Sequence, residues 1–307
     1  MLRGLSALVA MVLVVLPPAG GREAVAAPCC MSATAFGIGR LLIWEDFAVG
    51  LRLSWMHGVG TWDPNGDYLP HRDYRDEEVR TEVWAMGALS RRASLFGRLP
   101  MSLVHRRAGE ISDTGGGLSD VAAGIRYELL QIGEYVELPA IALTFAVLAP
   151  TGRSPDEMRQ VLGADVTGRG AFALSAGISF EITRLPWFVR LDLGTVVPLP
   201  FTREDTGRAQ RLGPEVDVAL SGGAEVSSGT VLSLVTRFAW HAPLAIAGRT
   251  VDGSERVDFG LAVAGSVVLA DHWSLQLSID TGFFFSGAGD NTPARVSTVL
   301  GLRYGHY

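Results

Sequence analysis

Lysine is absent from this sequence of 307 residues, and all 26 of its basic side chains are arginines. Schiff-base chemistry, Walker-type phosphate loops and the strand lysine of protein kinases each require a lysine, so these enzyme classes are excluded. Charged residues make up only 19% of the chain, and the net charge of −6 offers no basic surface for a nucleic acid. We therefore expect no nucleic-acid partner.

Cysteine is nearly absent as well, with only two residues, the adjacent Cys29 and Cys30. Such a pair cannot staple distant parts of a fold, so burial and hydrogen bonding must hold the structure. Together with Met31 the cysteines form three consecutive soft ligands that suit Cu(I), while a disulfide between the two neighbours is the other chemistry open to them. No G-x-S-x-G, HExxH or glycine-rich phosphate loop is present, so we expect no cofactor and no catalytic residue.

A hydrophobic run that can serve as a targeting signal occurs once, at the N terminus. Arg3 precedes an apolar stretch from Leu5 to Leu16, and the triplet Ala24-Val25-Ala26 follows two prolines. This order is typical of a secretory signal peptide, which we place at residues 1–26. Beyond it no stretch reaches the roughly 20 apolar residues of a membrane helix. The remaining apolar residues, in a chain that is 48% hydrophobic, must therefore lie on strands.

Apolar residues alternate with small or charged ones through most of the remaining chain, and this period of two is typical of strands. Between residues 120 and 129, for example, odd-numbered positions are apolar and even-numbered ones are small or charged. Runs of this kind predict twelve strands, at 48–57, 79–89, 94–104, 119–130, 138–148, 170–181, 187–196, 215–226, 230–241, 256–269, 273–284 and 294–304.

Short and long connections alternate between these strands, as in an antiparallel up-and-down barrel of the bacterial outer membrane. A soluble barrel would reverse the faces and put the apolar side chains inside. The charged face is shared with Gly, Ala and Ser, as a crowded lumen requires, which favours the membrane barrel. Aromatic residues near the strand ends of the apolar face predict interfacial girdles: Trp55, Trp187, Phe238, Trp240, Trp273, Phe283 and Phe285. We assign residues 48–307 to a transmembrane barrel.

The other face of these strands predicts a lumen in which basic and acidic side chains balance. The lumen-lining candidates are Arg52, Arg80, Arg98, Arg126, Arg190, Arg237, Arg256, Arg295 and Arg303 together with Glu82, Asp120, Glu128, Glu181, Asp192, Glu215, Asp217, Asp258 and Asp280. Buried charges must pair to offset their desolvation, so these groups predict an arginine–carboxylate ladder. Such a ladder can hold the barrel open, line a solute path, or do both.

The ends of the mature chain carry further signals. Residues 27–47 are too apolar for a free tail, and we expect them to cover the periplasmic mouth or to plug the lumen. At the other end an aromatic closes the last strand, as in barrel-assembly signals, and we place the strand end at Tyr304 with a three-residue tail. Expected partners are outer-membrane lipid and lipopolysaccharide, the barrel-assembly machinery and a small solute. The acidic run Asp73, Asp76, Glu77 and Glu78 is interpreted as an external loop.

Three stretches carry a family resemblance: GGGLSDVAAGIRYELL at 115–130, LPAIALTFAVLAPTGRS at 138–154 and PWFVRLDLGTVVPL at 186–199. They resemble the bacterial outer-membrane family named for the MetA pathway of phenol degradation. That family is similar to transport barrels for long-chain fatty acids and aromatic hydrocarbons. The resemblance implies a transport role and an apolar or aromatic solute.

We therefore expect a passive outer-membrane channel for a small, apolar or aromatic solute. The alternative is a structural or partner-binding barrel whose interior is filled by the charge ladder. A membrane-embedded hydrolase is a third hypothesis, for which His105, His241 and His272 lie near strand ends without a serine at a diagnostic spacing.

Overall fold

Twelve long strands form the protein, and each corresponds to one of the predicted strands. The computed structural model describes residues 39–63, 65–71, 73–135, 137–202, 207, 209–282, 289–290 and 292–307. The strands are β1 (Phe47–Trp62), β2 (Tyr74–Ala88), β3 (Ala93–Ala108), β4 (Val121–Leu130), β5 (Ala140–Ala149), β6 (Ala173–Arg184), β7 (Trp187–Pro198), β8 (Glu215–Ser227), β9 (Thr230–His241), β10 (Arg256–Ala270), β11 (Trp273–Gly282) and β12 (Thr292–His306). The predicted signal peptide, Cys29, Cys30, Met31, Phe283 and Phe285 lie outside the described residues.

Neighbouring strands pair in chain order, and every pairing is antiparallel. β1 pairs with β12, and the same chain of pairings runs on without a gap through β9 and β10, so the sheet closes on itself. A closed sheet has no free edge, and every strand can satisfy its backbone hydrogen bonds without water. Within the described residues, no helix is long and apolar enough to cross a membrane.

Apolar side chains cover the outside of the barrel. Leu51 is 46% exposed and Val263 is 58% exposed, whereas inward-facing Arg190 is 1% exposed. The inner face near the wall carries small side chains such as Ala122 and Ala219, which are also buried. These faces are those of a membrane barrel, and the soluble alternative is wrong because it needs the apolar face inside. The protein is therefore an outer-membrane barrel.

Aromatic side chains cluster at both ends of the apolar outer face. At the end with the short turns, the ring of Tyr304 lies 5.0 Å from that of Trp273 and 6.2 Å from that of Phe47. At the opposite end, the rings of Phe238 and Phe259 are 4.9 Å apart. Amphipathic and aromatic rings at both interfaces anchor a barrel at its depth in the bilayer. Short turns mark the periplasmic rim and long loops the outer rim.

The strands differ from their predicted bounds mainly at the outer rim. The predicted long loop at 105–118 is wrong, because β3 continues to Ala108 and a short strand, Ile111–Leu118, pairs with it as a hairpin. At the periplasmic rim β12 continues to His306, opposite Phe47, so the predicted strand end at Tyr304 is also wrong. β6 begins at Ala173 rather than at residue 170.

Further short strands and one turn of 3-10 helix lie in the connections between the barrel strands. They are Tyr68–Pro70, Phe201–Thr202, Ala209–Arg211, Ala245–Ile246, Arg249–Thr250, Gly289–Asp290 and the helical turn Pro155–Glu157. Four of these strands pair with one another into a small sheet above the barrel wall.

Candidate functional site

One cluster of charges in the barrel interior joins β1, β2 and β3. Arg52 lies opposite Glu82 in the pairing of β1 with β2, and its Nη1 is 3.3 Å from Glu82 Oε1. Arg98 approaches the other oxygen of the same carboxylate at 3.8 Å. Arg80 binds instead to Glu78 on its own strand, with Nη2 2.8 Å from Oε1. Two arginines from two different strands thus approach the single carboxylate of Glu82.

The most deeply buried cluster joins β6 and β7. Arg190 donates from Nε and Nη2 to the carboxylate of Asp192 at 2.8–3.0 Å, and Asp192 also accepts a hydrogen bond of 2.7 Å from Ser179. Glu181 lies opposite Arg190 in the strand pairing, 3.8 Å from its Nη1. Arg190 and Asp192 are each 1% exposed, so this cation stands against two buried carboxylates. A similar pair lies on β4, where Arg126 donates to Glu128 at 2.7 Å.

Acidic side chains dominate the wall formed by β8 to β11. Glu215, at the start of β8, accepts from Arg169 at 3.0 Å and lies 3.3 Å from His241 of β9. Asp217 follows on the same inner face. Arg256, at the outer end of β10, is exposed.

Arg237 is the cation at the centre of the acidic wall. Its Nη2 lies 3.5 Å from Asp258 Oδ2. Asp280, on β11, projects toward the same glycine as Arg237. A Cβ added to Gly260 would lie 3.4 Å from Asp280 Oδ1 and 4.0 Å from Arg237 Nε. Asp280 has no hydrogen-bond or ion-pair partner among the residues that the structure describes. Arg237 thus pairs with Asp258, and Asp280 lies beside this pair.

Asp120 lies one residue before β4 and not in the barrel wall, so its predicted position within a strand is wrong. Its carboxylate accepts hydrogen bonds from the backbone N–H of Gly152 at 3.1 Å and of Arg169 at 2.8 Å. Both donors belong to the connection between β5 and β6, residues 150–172, which we name the inward loop. Asp120 therefore clamps the two ends of this loop together.

The inward loop packs on the inner surface of the hairpin that extends β3. The backbone of Ala164 and Asp165 lies against Gly115, where an added Cβ would be 2.8 Å from the Asp165 backbone nitrogen. Asp113 accepts the N–H of Leu162 at 2.6 Å. Because glycine has no side chain at this point, the loop can approach the strand closely.

Asp165 organises the inward loop from within. It is almost completely buried and accepts hydrogen bonds from Arg153 Nη1 at 2.9 Å and from the backbone N–H groups of Arg159 and Gln160 at 3.0 and 3.3 Å. Burial opposes ionisation of this carboxyl, but these hydrogen bonds outweigh it and hold the pKa of Asp165 below its ordinary value of 3.8.

Arg106 and Asp76 connect the inward loop to the barrel wall, and neither was among the predicted lumen residues. Arg106 Nε donates to Asp76 at 3.1 Å, and its Nη1 donates to the carbonyls of Leu162 and Gly163 at 2.9 and 3.0 Å. Arg295 of β12 donates to the same Asp76 at 3.1 Å. At its other end, the loop reaches Glu215 of β8 through Arg169, so it crosses the outer mouth of the barrel.

A second segment covers the periplasmic mouth. Residues 39–46 precede β1, and Leu41 packs against the inward-facing side chains of Met86 and Phe96. The carboxylate of Glu45 is buried and pairs with Arg303, whose Nη1 donates to it at 2.8 Å. The strand pattern predicts that Arg303 faces the lumen, but it does not predict its partner, because Glu45 precedes the first strand.

Between the two mouths a cavity of about 180 Å³ remains inside the barrel. It lies along the inner faces of β8 to β12 and β1. Its charged and polar lining consists of Arg52, Arg237, Gln276, Ser278 and Asp280, and its apolar lining of Ala219, Val235, Gly260, Ala262 and Val299. The cavity therefore touches Arg52 on β1 as well as Arg237 and Asp280 on β9 and β11.

The three histidines that carried the hydrolase hypothesis have no serine partner in the described structure. His105 Nδ1 lies 2.9 Å from Thr114 Oγ1, His241 binds Glu215, and His272 Nδ1 lies 2.9 Å from the carbonyl of Gly305. Among the described residues no group of three His, Cys, Asp or Glu side chains is placed to hold a metal ion. The acidic run at 73–78 belongs largely to β2, where Asp76 and Glu78 bind arginines.

Neither a family model nor a curated protein matches the sequence. Among solved structures, the COG4313 outer membrane channel from Pseudomonas putida F1 superposes with a TM-score of 0.68 at 14% identity, over 85% of this chain and 96% of that one. The chain shares the fold of an outer-membrane channel. The CymD monoaromatic hydrocarbon channel and the NanC porin also match, with TM-scores of 0.44 and 0.47 at 10% and 8% identity. They cover 86% and 83% of this chain, and the match spans 89% and 98% of theirs.

Proposed function

We propose that the protein is a passive outer-membrane channel that takes up a small solute with an apolar or aromatic body. The observation that carries the proposal is the cavity of about 180 Å³ between the two mouths. A cavity of roughly 150 Å³ holds one benzene ring, so this space fits one small molecule. Transport would require movement of the inward loop at the outer mouth and of residues 39–46 at the periplasmic mouth.

The resemblance to the phenol-degradation family supports an aromatic solute. The apolar wall of the cavity, formed by Ala219, Val235, Ala262 and Val299, offers contact to such a body. The charged groups around it would keep the path hydrated while the solute passes. Residues 39–46 act as the periplasmic plug in this proposal.

Swelling of liposomes that contain the folded mature chain tests this proposal. We expect faster swelling in phenylalanine than in glucose, because the apolar wall favours an aromatic body. A tetrasaccharide such as stachyose should not enter. Absence of swelling in all three solutes, from a barrel shown to be folded, would contradict a channel function.

A structural barrel is the second candidate, and the ion pairs of the interior favour it. Arg126 and Arg190 lie in the wall with little exposure and hold three carboxylates between them. If the interior is only a scaffold, replacing either arginine by alanine would change stability and leave permeability at its background value. In a channel, the same replacements would also alter the swelling rate, because they change the charge along the path.

A further inference from the structure

The outer face of β1, β2 and β3 changes in character over three successive rows of side chains toward the outer rim. The first row is apolar and exposed, and it consists of Trp55, Val79 and Leu103, which are paired in register across the three strands. The second row, two residues farther along each strand, is polar and consists of His57, Glu77 and His105. The third row carries Arg75 and Arg107. The lipid-facing surface of these strands therefore ends in a pair of arginines.

Arg75 and Arg107 lie directly opposite each other in the pairing of β2 with β3, and both side chains are exposed. Residues paired in this way have Cβ atoms about 4.5–5.5 Å apart, and like charges at such positions destabilise a sheet. An anion that binds between the two cations removes their repulsion.

Carboxylates of the protein offset only one of these two charges. Arg75 Nη2 lies 2.6 Å from Glu77 Oε1. Arg107 donates from Nε to a backbone carbonyl at 3.1 Å, and it forms no ion pair with any residue that the structure describes. Asp73 and Glu110 lie beyond the outermost residue pair of β2 and β3, and neither forms an ion pair with a described arginine. The guanidinium of Arg107 is thus open to an external anion.

The two arginines lie at the depth of the lipid headgroups. Trp55 marks the boundary of the hydrocarbon region, since tryptophan is enriched at this interface. The arginine row is four residues farther along the strands, which is about 13 Å along a strand and about 10 Å along the membrane normal at a tilt of about 40°. The headgroups of one leaflet occupy about 5–8 Å beyond the hydrocarbon, and long arginine side chains can extend back toward them.

We propose that Arg75 and Arg107 form a binding site for a phosphate group of lipid A in the outer leaflet. Planar guanidinium groups donate paired hydrogen bonds to phosphate oxygens, and a phosphate between them neutralises the two opposed charges. Ser112, opposite Arg107 on the hairpin strand, adds an exposed hydroxyl. The acyl chains of the same lipid lie along the apolar row. Because the site is outside the barrel, it does not depend on the proposed channel function.

Native mass spectrometry of the folded mature chain in detergent tests the proposal with three probes. They are lipid A with its phosphates, the same lipid after enzymatic removal of the phosphates, and inorganic pyrophosphate. One arginine near an anionic lipid surface contributes about fivefold in affinity, so we expect phosphorylated lipid A to bind about 25-fold more tightly than the dephosphorylated lipid. Pyrophosphate should bind most weakly, because it has no acyl chains.

Two results with these probes would overturn the proposal. Equal binding of the two lipids would show that the phosphates are not recognised. Binding of pyrophosphate as tight as that of phosphorylated lipid A would assign the arginines to a soluble phosphate and not to a membrane lipid.

Neutralising variants assign the phosphate to the two arginines. Arg75→Gln and Arg107→Gln should each bind phosphorylated lipid A about fivefold more weakly, and the double variant about 25-fold more weakly. None of them should change the binding of the dephosphorylated lipid, which also reports that each variant is folded. Arg249→Gln is the matched control and should bind like the wild type, because Arg249 is exposed at the outer rim but lies outside the three rows. Unchanged binding of phosphorylated lipid A by the double variant would overturn the proposal.

Discussion

Replacement of Arg190 by methionine tests whether an ion pair of the charge ladder stabilises the folded barrel because it is buried or because its atoms are close together. Arg190 is the cation between Asp192 and Glu181, and all three side chains are at most 4% exposed. Methionine keeps much of the side-chain volume and removes the charge. Two buried carboxylates then lose their counter-ion, so we expect a loss of about 3–5 kcal/mol in the free energy of unfolding.

Arg75→Met is the matched control for this variant. Arg75 lies only 2.6 Å from Glu77, closer than the 2.8 Å of Arg190 to Asp192, but its side chain is 59% exposed. Exposed ion pairs contribute about 0–1 kcal/mol, so this variant should unfold almost like the wild type. In the double variant Arg190→Met, Asp192→Asn, part of the lost stability should return, because one of the two unpaired carboxylates is neutralised.

Reversible urea unfolding of the barrel in lipid vesicles, followed by tryptophan fluorescence, measures all four proteins. Unfolding free energies are compared only between proteins with equal dependence on urea concentration, because a changed slope indicates a change in the unfolded or native state. A loss below about 1 kcal/mol for Arg190→Met, or equal losses for Arg190→Met and Arg75→Met, would refute the reasoning.

Three further predictions concern the two mouths. Gly115→Ala places a Cβ 2.8 Å from the Asp165 backbone, so the inward loop should shift and become sensitive to protease, at a cost of about 1–3 kcal/mol in stability. Gly87→Ala, whose added Cβ meets no atom within 4 Å, should leave the protease sensitivity of the loop unchanged. Because the pKa of Asp165 is lowered in the folded protein, its carboxylate stabilises the closed loop fully above the ordinary value of 3.8, and this stabilisation is lost as the pH falls through the lower folded pKa. Hydrogen exchange of residues 150–172 should therefore stay slow at neutral pH and become faster only below about pH 4. The variant Asp165→Asn should exchange fast already at pH 7. Glu45→Gln leaves Arg303 without its carboxylate, and proteolysis at residues 39–46 should become faster than in Asp46→Asn; unchanged proteolysis would contradict a closure held by this pair.

The strand pattern was predictable because a lipid-facing residue and a lumen-facing residue alternate wherever a strand crosses the bilayer. The pattern disappears where strands continue beyond the bilayer, since both faces are then polar. At the start of β2, Arg75 and Glu77 on one face are as charged as Asp76 and Glu78 on the other. The extension of β3 through His105 and Arg107 has the same character, which is why the alternation does not predict the hairpin there.

The partners of the lumen charges could not be predicted from the pattern, because they depend on register and on loops. Arg303 was placed on the inner face, but its partner Glu45 is 258 residues away along the chain. Asp120 fitted the alternation of β4, yet the inward loop uses it as a clamp. The cavity also escapes sequence analysis, since six strands contribute to it and each supplies only one to three residues.

Single-channel recording tests the central claim, that a small solute passes through the lumen, most directly. The mature chain from Ala27 is inserted into a planar bilayer and compared with Gly115→Ala, Glu45→Gln and the combination of the two. We predict discrete current steps that phenylalanine blocks, with longer openings in each variant and the longest in the combination. Silence from all four proteins, each shown to be folded, would contradict the claim and leave a structural barrel.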